Sequence, residues 1–294
     1  MSEYQYYEFL ALDAPLSQRQ QQELRAISSR ATISSTRFAN FYTFGDLKAD
    51  PARLVERYFD AHLYLANWGT HALTFRFPSR LLDLKTATRY CRSRAASARA
   101  KGGYVILDFA SEDEESSDWT DEGDGTGQAA ALFPARALIA SGDRRALYLG
   151  WLLAVQDGDL ADSEEEPPCP PGLRDLPAPL AAMVDFLRID PDLFVAAAAG
   201  SADSRDPSRK ELVRWARSLR DSERVALLVE FVQGSDPSLR LKAMQSLRAS
   251  ERQASGGSAR TRRTAGRLRA EAERRGEARR EAETKRPSRK SARR

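Results

Sequence analysis

The residues of this 294-residue chain that could do chemistry lie close together. Both histidines, His62 and His71, fall in YFDAHLYLANWGTHALTFRF, residues 58–77, beside Asp60, Asn67 and Trp68. An imidazole titrates near neutral pH and serves as a general base or a metal ligand. An indole next to a carboxamide is the composition of a ligand-facing rim, so Asn67 and Trp68 form one candidate rim. Asp46 and Asp50 flank Lys48 and could act as a carboxylate pair, although Asp50 before Pro51 is better explained as a helix cap. Catalytic candidates are therefore His62, His71 and Asp46.

A bland account competes at each position. On a helical wheel over residues 54–67, Leu54, Tyr58, Ala61 and Leu65 fall on one line. His62 lies inside their apolar arc and Asp60 opposite. This predicts a helix from Pro51 to about Leu65 that buries His62 as a hydrogen-bonded core histidine. Asn67 to Gly69 then becomes the helix C-cap, with Trp68 packed over it, and His71 begins the next strand.

Other motifs are incomplete. Two histidines and two remote cysteines, Cys91 and Cys169, do not make a zinc set of three or four ligands. No G-x-S-x-G occurs. GDGTG at 123–127 lacks a following Lys-Ser or Lys-Thr and sits among acids, and those acids miss calcium-loop spacing. No metal and no cofactor are expected.

The elements that position these residues alternate. Strands are predicted over 4–12, 36–44, 71–77 and 103–110. Ser17 with Gln20 makes a capping box for a helix to about Arg30. Residues 89–103, with five basic residues and no acid, read as a helix end and a solvated loop, with a phosphate-binding patch as the alternative. Helical residues follow at 134–156. Helix starts recur at Asp190, Asp206, Asp221 and Asp236, each before an apolar pattern, and Ser208 with Glu211 supplies another capping box. The expected fold is α+β: an N-terminal mixed sheet covered by helices, then an all-helical domain, either a bundle or a short helical-repeat stack.

The domain plan follows composition. Residues 1–110 form the α+β domain and 111–127, with eight acids, a disordered loop. Residues 128–157 pack on the N-terminal domain, 158–179 are an acidic, proline-rich linker, and 180–250 the helical domain. Residues 251–294 hold 16 Lys+Arg against 6 Asp+Glu, net +10, which leaves 30 against 36, net −6, for the rest. The middle of this stretch could be helical, with Glu271–Arg275 and Glu281–Lys285 spaced for i,i+4 pairing, but Leu268 is the only large aliphatic residue there, so no core face and a disordered basic tail are expected. Its candidate polyanion-binding residues are Arg260, Arg262, Arg263, Arg267, Arg269, Arg274, Arg275, Arg279 and Arg280. They could meet a nucleic-acid backbone, an acidic partner, or the acidic stretches of the chain itself.

No leader pattern opens the chain and no apolar run is long enough to span a membrane, so a cytoplasmic protein with free thiols and no membrane contact is expected.

YEFLALD (7–13), LRAISSRATI, FYTFGDLKADP and YFDAHLYLANWGT together resemble a set of bacterial proteins predicted from GC-rich genomes. The likeness covers roughly the first 110 residues. It implies a cytoplasmic bacterial protein and transfers no activity and no catalytic residue.

The functional expectation is a non-enzymatic adaptor or scaffold. The helical domain binds a protein partner, and the tail adds electrostatic contact with nucleic acid or an acidic partner. The alternative is an enzyme or small-ligand binder with a pocket near His62, Asn67, Trp68 and His71.

Overall fold

The computed structural model describes residues 4–113, 127–203, 207–234, 239, 243–244, 246–247 and 263–284. The chain is α+β. Strands β1 (Gln5–Leu10), β2 (Thr32–Ile33), β3 (Arg37–Tyr42), β4 (Ala61–Ala66), β5 (Thr70–Pro78), β6 (Ala96–Lys101) and β7 (Tyr104–Glu112) form one sheet of order β2-β3-β1-β4-β5-β7-β6. Every neighbouring pair is antiparallel, not mixed as expected. The connections between paired neighbours β4–β5 and β6–β7 are too short for the crossover a parallel pair needs. Gly102 and Gly103 both take positive φ and join β6 to β7 as a two-residue hairpin.

Two stretches differ from their predicted state. The helix from Pro51 ends at Arg57 (α2), and residues 61–66 continue as β4. The same letters satisfy both periods: Ala61, Leu63 and Leu65 share one face of a strand, His62 and Tyr64 the other. Pairing with β1 on one side and β5 on the other decides the matter. The basic stretch 89–103 contains β6, an edge strand. Its Arg and Lys residues suit an edge that must not recruit another strand.

Helix α1 (Gln18–Ile27) starts at the Ser17–Gln20 capping box. α1 and α2 cover one sheet face, where Leu24, Leu54, Val55 and Phe59 pack with Phe9, Phe38 and Ile106. The other face is larger. Leu63, Leu73, Phe75, Leu107 and Phe109 pack there with Trp151 and Leu152 of α6 (Arg145–Gln156). Short helices α3 (Leu84–Thr88), α4 (Gln128–Leu132) and α5 (Ala135–Ala140) lie around that core. Helices α7 (Ala178–Phe186) and α8 (Pro191–Ala199) contribute Leu180, Met183, Leu193 and Ala196 to it. The first two helices expected in a separate unit over 180–250 thus share the sheet's own core. Residues between α6 and α7 carry no helix or strand, yet Leu160 and Leu173 are buried in that core as well.

Helices α9 (Arg209–Ser218) and α10 (Asp221–Gln233) bury no residue. The last helix, α11 (Ala265–Thr284), overturns the expectation of a tail without a core face. Leu268 is fully buried, and Ala265, Leu268, Ala272 and Gly276 make a narrow stripe against α8. Small residues on both helices allow close approach, which a search for large aliphatic side chains overlooks. Its Ala, Glu and Arg residues are strong helix formers, and Glu271–Arg275 pairs across one turn at 3.0 Å.

Candidate functional site

The strand assignment separates the two histidines. His62 stands opposite Phe9 and Thr74, on the face covered by α1 and α2. His71 stands opposite Leu65, on the face covered by α6 to α8. The imidazoles point to opposite sides of the sheet and line no common pocket.

His62 is 5% exposed and stacks on Phe9, with ring centroids 4.2 Å apart and planes 22° apart. Its Nε2 is buried without a hydrogen-bond partner. Burial alone pushes its pKa down from 6.5 to about 3. A neutral imidazole buried against aromatic rings is not placed to exchange protons with a bound substrate at neutral pH.

His71 is held on both ring nitrogens. Nδ1 lies 2.6 Å from the Phe186 carbonyl oxygen, and the ring stacks on Phe186 at 4.7 Å. Nε2 lies 3.1 Å from Nη2 of Arg188. A carbonyl only accepts and a guanidinium only donates, so His71 is neutral, with its proton on Nδ1. Burial and, secondarily, the Arg188 charge lower its pKa, against the Phe186 hydrogen bond, which raises it. Arg188 also donates to the Gly69 carbonyl at 2.8 Å, and takes φ of +53°, the only positive φ at a non-glycine among the described residues. This clasp ties the end of α7 to the β4–β5 turn.

Asn67 and Trp68 occupy that turn. Asn67 is committed to structure: its Oδ1 accepts from the Tyr4 backbone N–H at 3.0 Å. Trp68 is exposed. Asp46 accepts from Gln5 Nε2 at 2.6 Å, and Gln5 in turn accepts from the hydroxyls of Tyr7 and Tyr64. Asp50 caps α2 through the Ala52 N–H, so the two aspartates form no pair.

Charged groups the sequence did not single out cluster elsewhere. On the His62 face, Thr74 donates to Asp108 at 2.9 Å, and Arg99 bridges Asp108 and Glu56. Burial raises the Asp108 pKa, against Thr74 and Arg99. Buried Asp60 accepts from the Leu12 and Asp13 N–H groups and from Arg76. Arg136 binds Asp13 and the Arg76 carbonyl. These groups are scattered through half the fold, and only the register of the strands brings them together. Among the described residues no group of three His, Cys, Asp or Glu side chains could hold a metal ion.

The tail arginines divide. Arg263 makes a two-point ion pair with Glu166 and donates to the Ala196 and Ala197 carbonyls at the end of α8. Arg269 pairs with Asp162 and donates to the Val155 and Leu160 carbonyls. Arg275 pairs with Glu271, and Arg279 with Asp192 and Glu283. Arg267, Arg274 and Arg280 are exposed and carry no ion pair among the described residues. Arg260 and Arg262 lie outside the described residues. Four of the nine candidate polyanion-binding residues thus bind the chain itself.

A different surface stands open. On α10, Val225, Leu228, Val229 and Val232 follow helical spacing along one side with Phe231 beside them, and all five are exposed; Phe231 is 74% and Val232 82% accessible. On α9, Arg209, Lys210, Val213, Arg214 and Arg217 line a groove of about 610 Å³. Trp215 lies outside that lining and donates to Ser246 Oγ at 3.2 Å. The helical starts at Asp190 and Asp221 and the Ser208–Glu211 capping box had signalled these helices, but sequence periodicity cannot tell which apolar side remains uncovered. The Asp206 and Asp236 starts lie outside the described residues, and so does most of the acidic stretch 111–127.

Comparison with protein-family models, with curated proteins and with solved structures finds no match for the chain. No described helix is long and apolar enough to cross a membrane.

Proposed function

We propose that this chain is a non-enzymatic adaptor whose α+β body presents α9 and α10 to a protein partner. One observation carries the reading: five large apolar side chains lie exposed along α10. Contiguous exposed apolar surface of this kind marks an interaction site, because leaving it in water forfeits the burial that stabilises folded proteins. Recognition by an exposed helix face needs no catalytic group. The free thiols of Cys91 and Cys169 suit a cytoplasmic setting.

The tail's part in this reading is internal. Arg263 and Arg269 fasten α11 to the body, and Arg267, Arg274 and Arg280 remain for weak, salt-sensitive attraction to an acidic partner or nucleic acid. The alternative, an enzyme or ligand binder at His62, Asn67, Trp68 and His71, draws no support from groups that face opposite sides of a sheet.

The test compares proteins retained from the native host by the full chain and by a Leu228→Asp, Val232→Asp variant of unchanged circular dichroism. The expected result is one protein lost with the variant that rebinds the wild type directly when purified. Identical retention by both proteins contradicts the reading.

A further inference from the structure

We propose that the α9 groove receives an acidic amphipathic helix of a partner protein. This rests on the adaptor reading and names the chemistry of the partner.

The groove is built from one side of one helix. Arg209, Val213 and Arg217 follow at steps of four residues, with Lys210 and Arg214 beside them. From Arg209 to Arg217 the row runs about 12 Å, just over two helical turns. All four cations are exposed, and none has an ion pair or a side-chain hydrogen bond among the described residues. The single acid of α9, Glu211, accepts from the Ser208 backbone N–H and hydroxyl as a cap. Four like charges on two turns repel one another, an arrangement relieved by an oppositely charged ligand.

Two further features choose among anionic ligands. Val213 sits among the cations as an apolar floor, with Leu212 exposed beside it. A phosphate backbone has nothing to place on Val213, and no aromatic ring lines the groove to stack a base. A partner helix lying alongside α9 can follow the whole row, as helices do when they dock on a helix face. A helix with an aliphatic stripe flanked by carboxylates meets both the cations and Val213.

The full-length protein is titrated with a fluorescent helical peptide bearing a leucine stripe flanked by glutamates. Controls are the same peptide with lysine for glutamate, a thymidine oligonucleotide, and phosphatidylserine vesicles. The glutamate peptide is expected to bind, the lysine peptide not. Arg214→Glu with Arg217→Glu lowers its affinity about tenfold or more, the fold-change of roughly 1.4 kcal/mol. Arg209→Ala with Lys210→Ala, a milder pair, gives a smaller loss of the same sign. Equal affinity for both peptides, undiminished binding by the charge-reversed protein, or preference for the oligonucleotide or vesicles overturns the proposal. Failure here with the Leu228→Asp, Val232→Asp difference intact removes the acidic helix and leaves the adaptor reading standing. Loss of that difference with glutamate-peptide binding intact does the reverse.

Discussion

Arg263 and Glu166, 97 positions apart in the chain, meet in a two-point ion pair at 2.7 and 2.6 Å with Tyr148 donating to the same carboxylate. Glu166 is almost wholly buried and Arg263 largely so. The arginine continues to two carbonyls at the C-terminus of α8, where the helix dipole favours a cation. The pair anchors the start of α11 to the body.

Arg263→Ala leaves a buried carboxylate without its counter-charge. The expected cost is about 3–5 kcal/mol, read as a lower midpoint in urea unfolding, with faster amide exchange throughout α11. Arg263→Lys recovers only part of it, because an ammonium cannot reproduce the fork. Unchanged α11 exchange in Arg263→Ala contradicts the anchoring role.

His62 gives the molecule a pH dependence of definite sign. Its pKa falls from 6.5 unfolded to about 3 folded, so below pH 6.5 the unfolded chain binds a proton that the folded chain refuses. Stability is complete above pH 6.5 and is lost toward pH 3, at up to about 1.4 kcal/mol per pH unit from this group. His62→Leu removes the unpartnered nitrogen and this share of the dependence. Urea unfolding at pH 7 and pH 5 should show a smaller drop for the variant than for the wild type. An equal drop refutes the burial of a neutral ring.

The clasp at His71 makes a spectroscopic prediction. Its ¹⁵N shifts should report a protonated Nδ1 and an unprotonated Nε2 at pH 7, persisting below the ordinary imidazole titration range. A protonated Nε2 would place two donors face to face with Arg188 and contradict the arrangement.

Gly69 lies in the same turn with φ of +95°, and a Cβ built there would lie 1.9 Å from the Asp113 carbonyl oxygen. Gly69→Ala therefore carries both a left-handed backbone penalty and a steric clash with backbone. A loss of roughly 2 kcal/mol or more is expected in chemical unfolding. A loss below about 0.5 kcal/mol, the range of ordinary surface substitutions, would show that the turn moves aside freely.

Much of the fold was legible where local chemistry is decisive. Capping residues Ser17, Asp50, Asp190 and Ser208 each begin the helix they announce. The buried strand around Val105–Phe109 was evident from its unbroken apolar run. Residues 61–66 were not legible as a strand, because a segment buried on both faces satisfies the helical period as well. β6 hid behind Arg99 and Lys101, whose charges suit an edge. The pairing of Glu271 with Arg275 allowed a helix in α11, but its docking face hid because the stripe is mostly alanine and glycine, and its complement on α8 is alanine too. The histidines drew attention by type, but opposite faces of one sheet separate them. The groove on α9 was composed of residues visible in the sequence, and only burial shows which side of a helix stays open.

The adaptor account is tested most directly by placing a photocrosslinking residue at Val232, and separately at exposed Leu12, in the full chain expressed in its host. The account predicts one defined protein adduct at Val232 that is absent at Leu12. Identical adducts at both positions, or none at Val232, would contradict it.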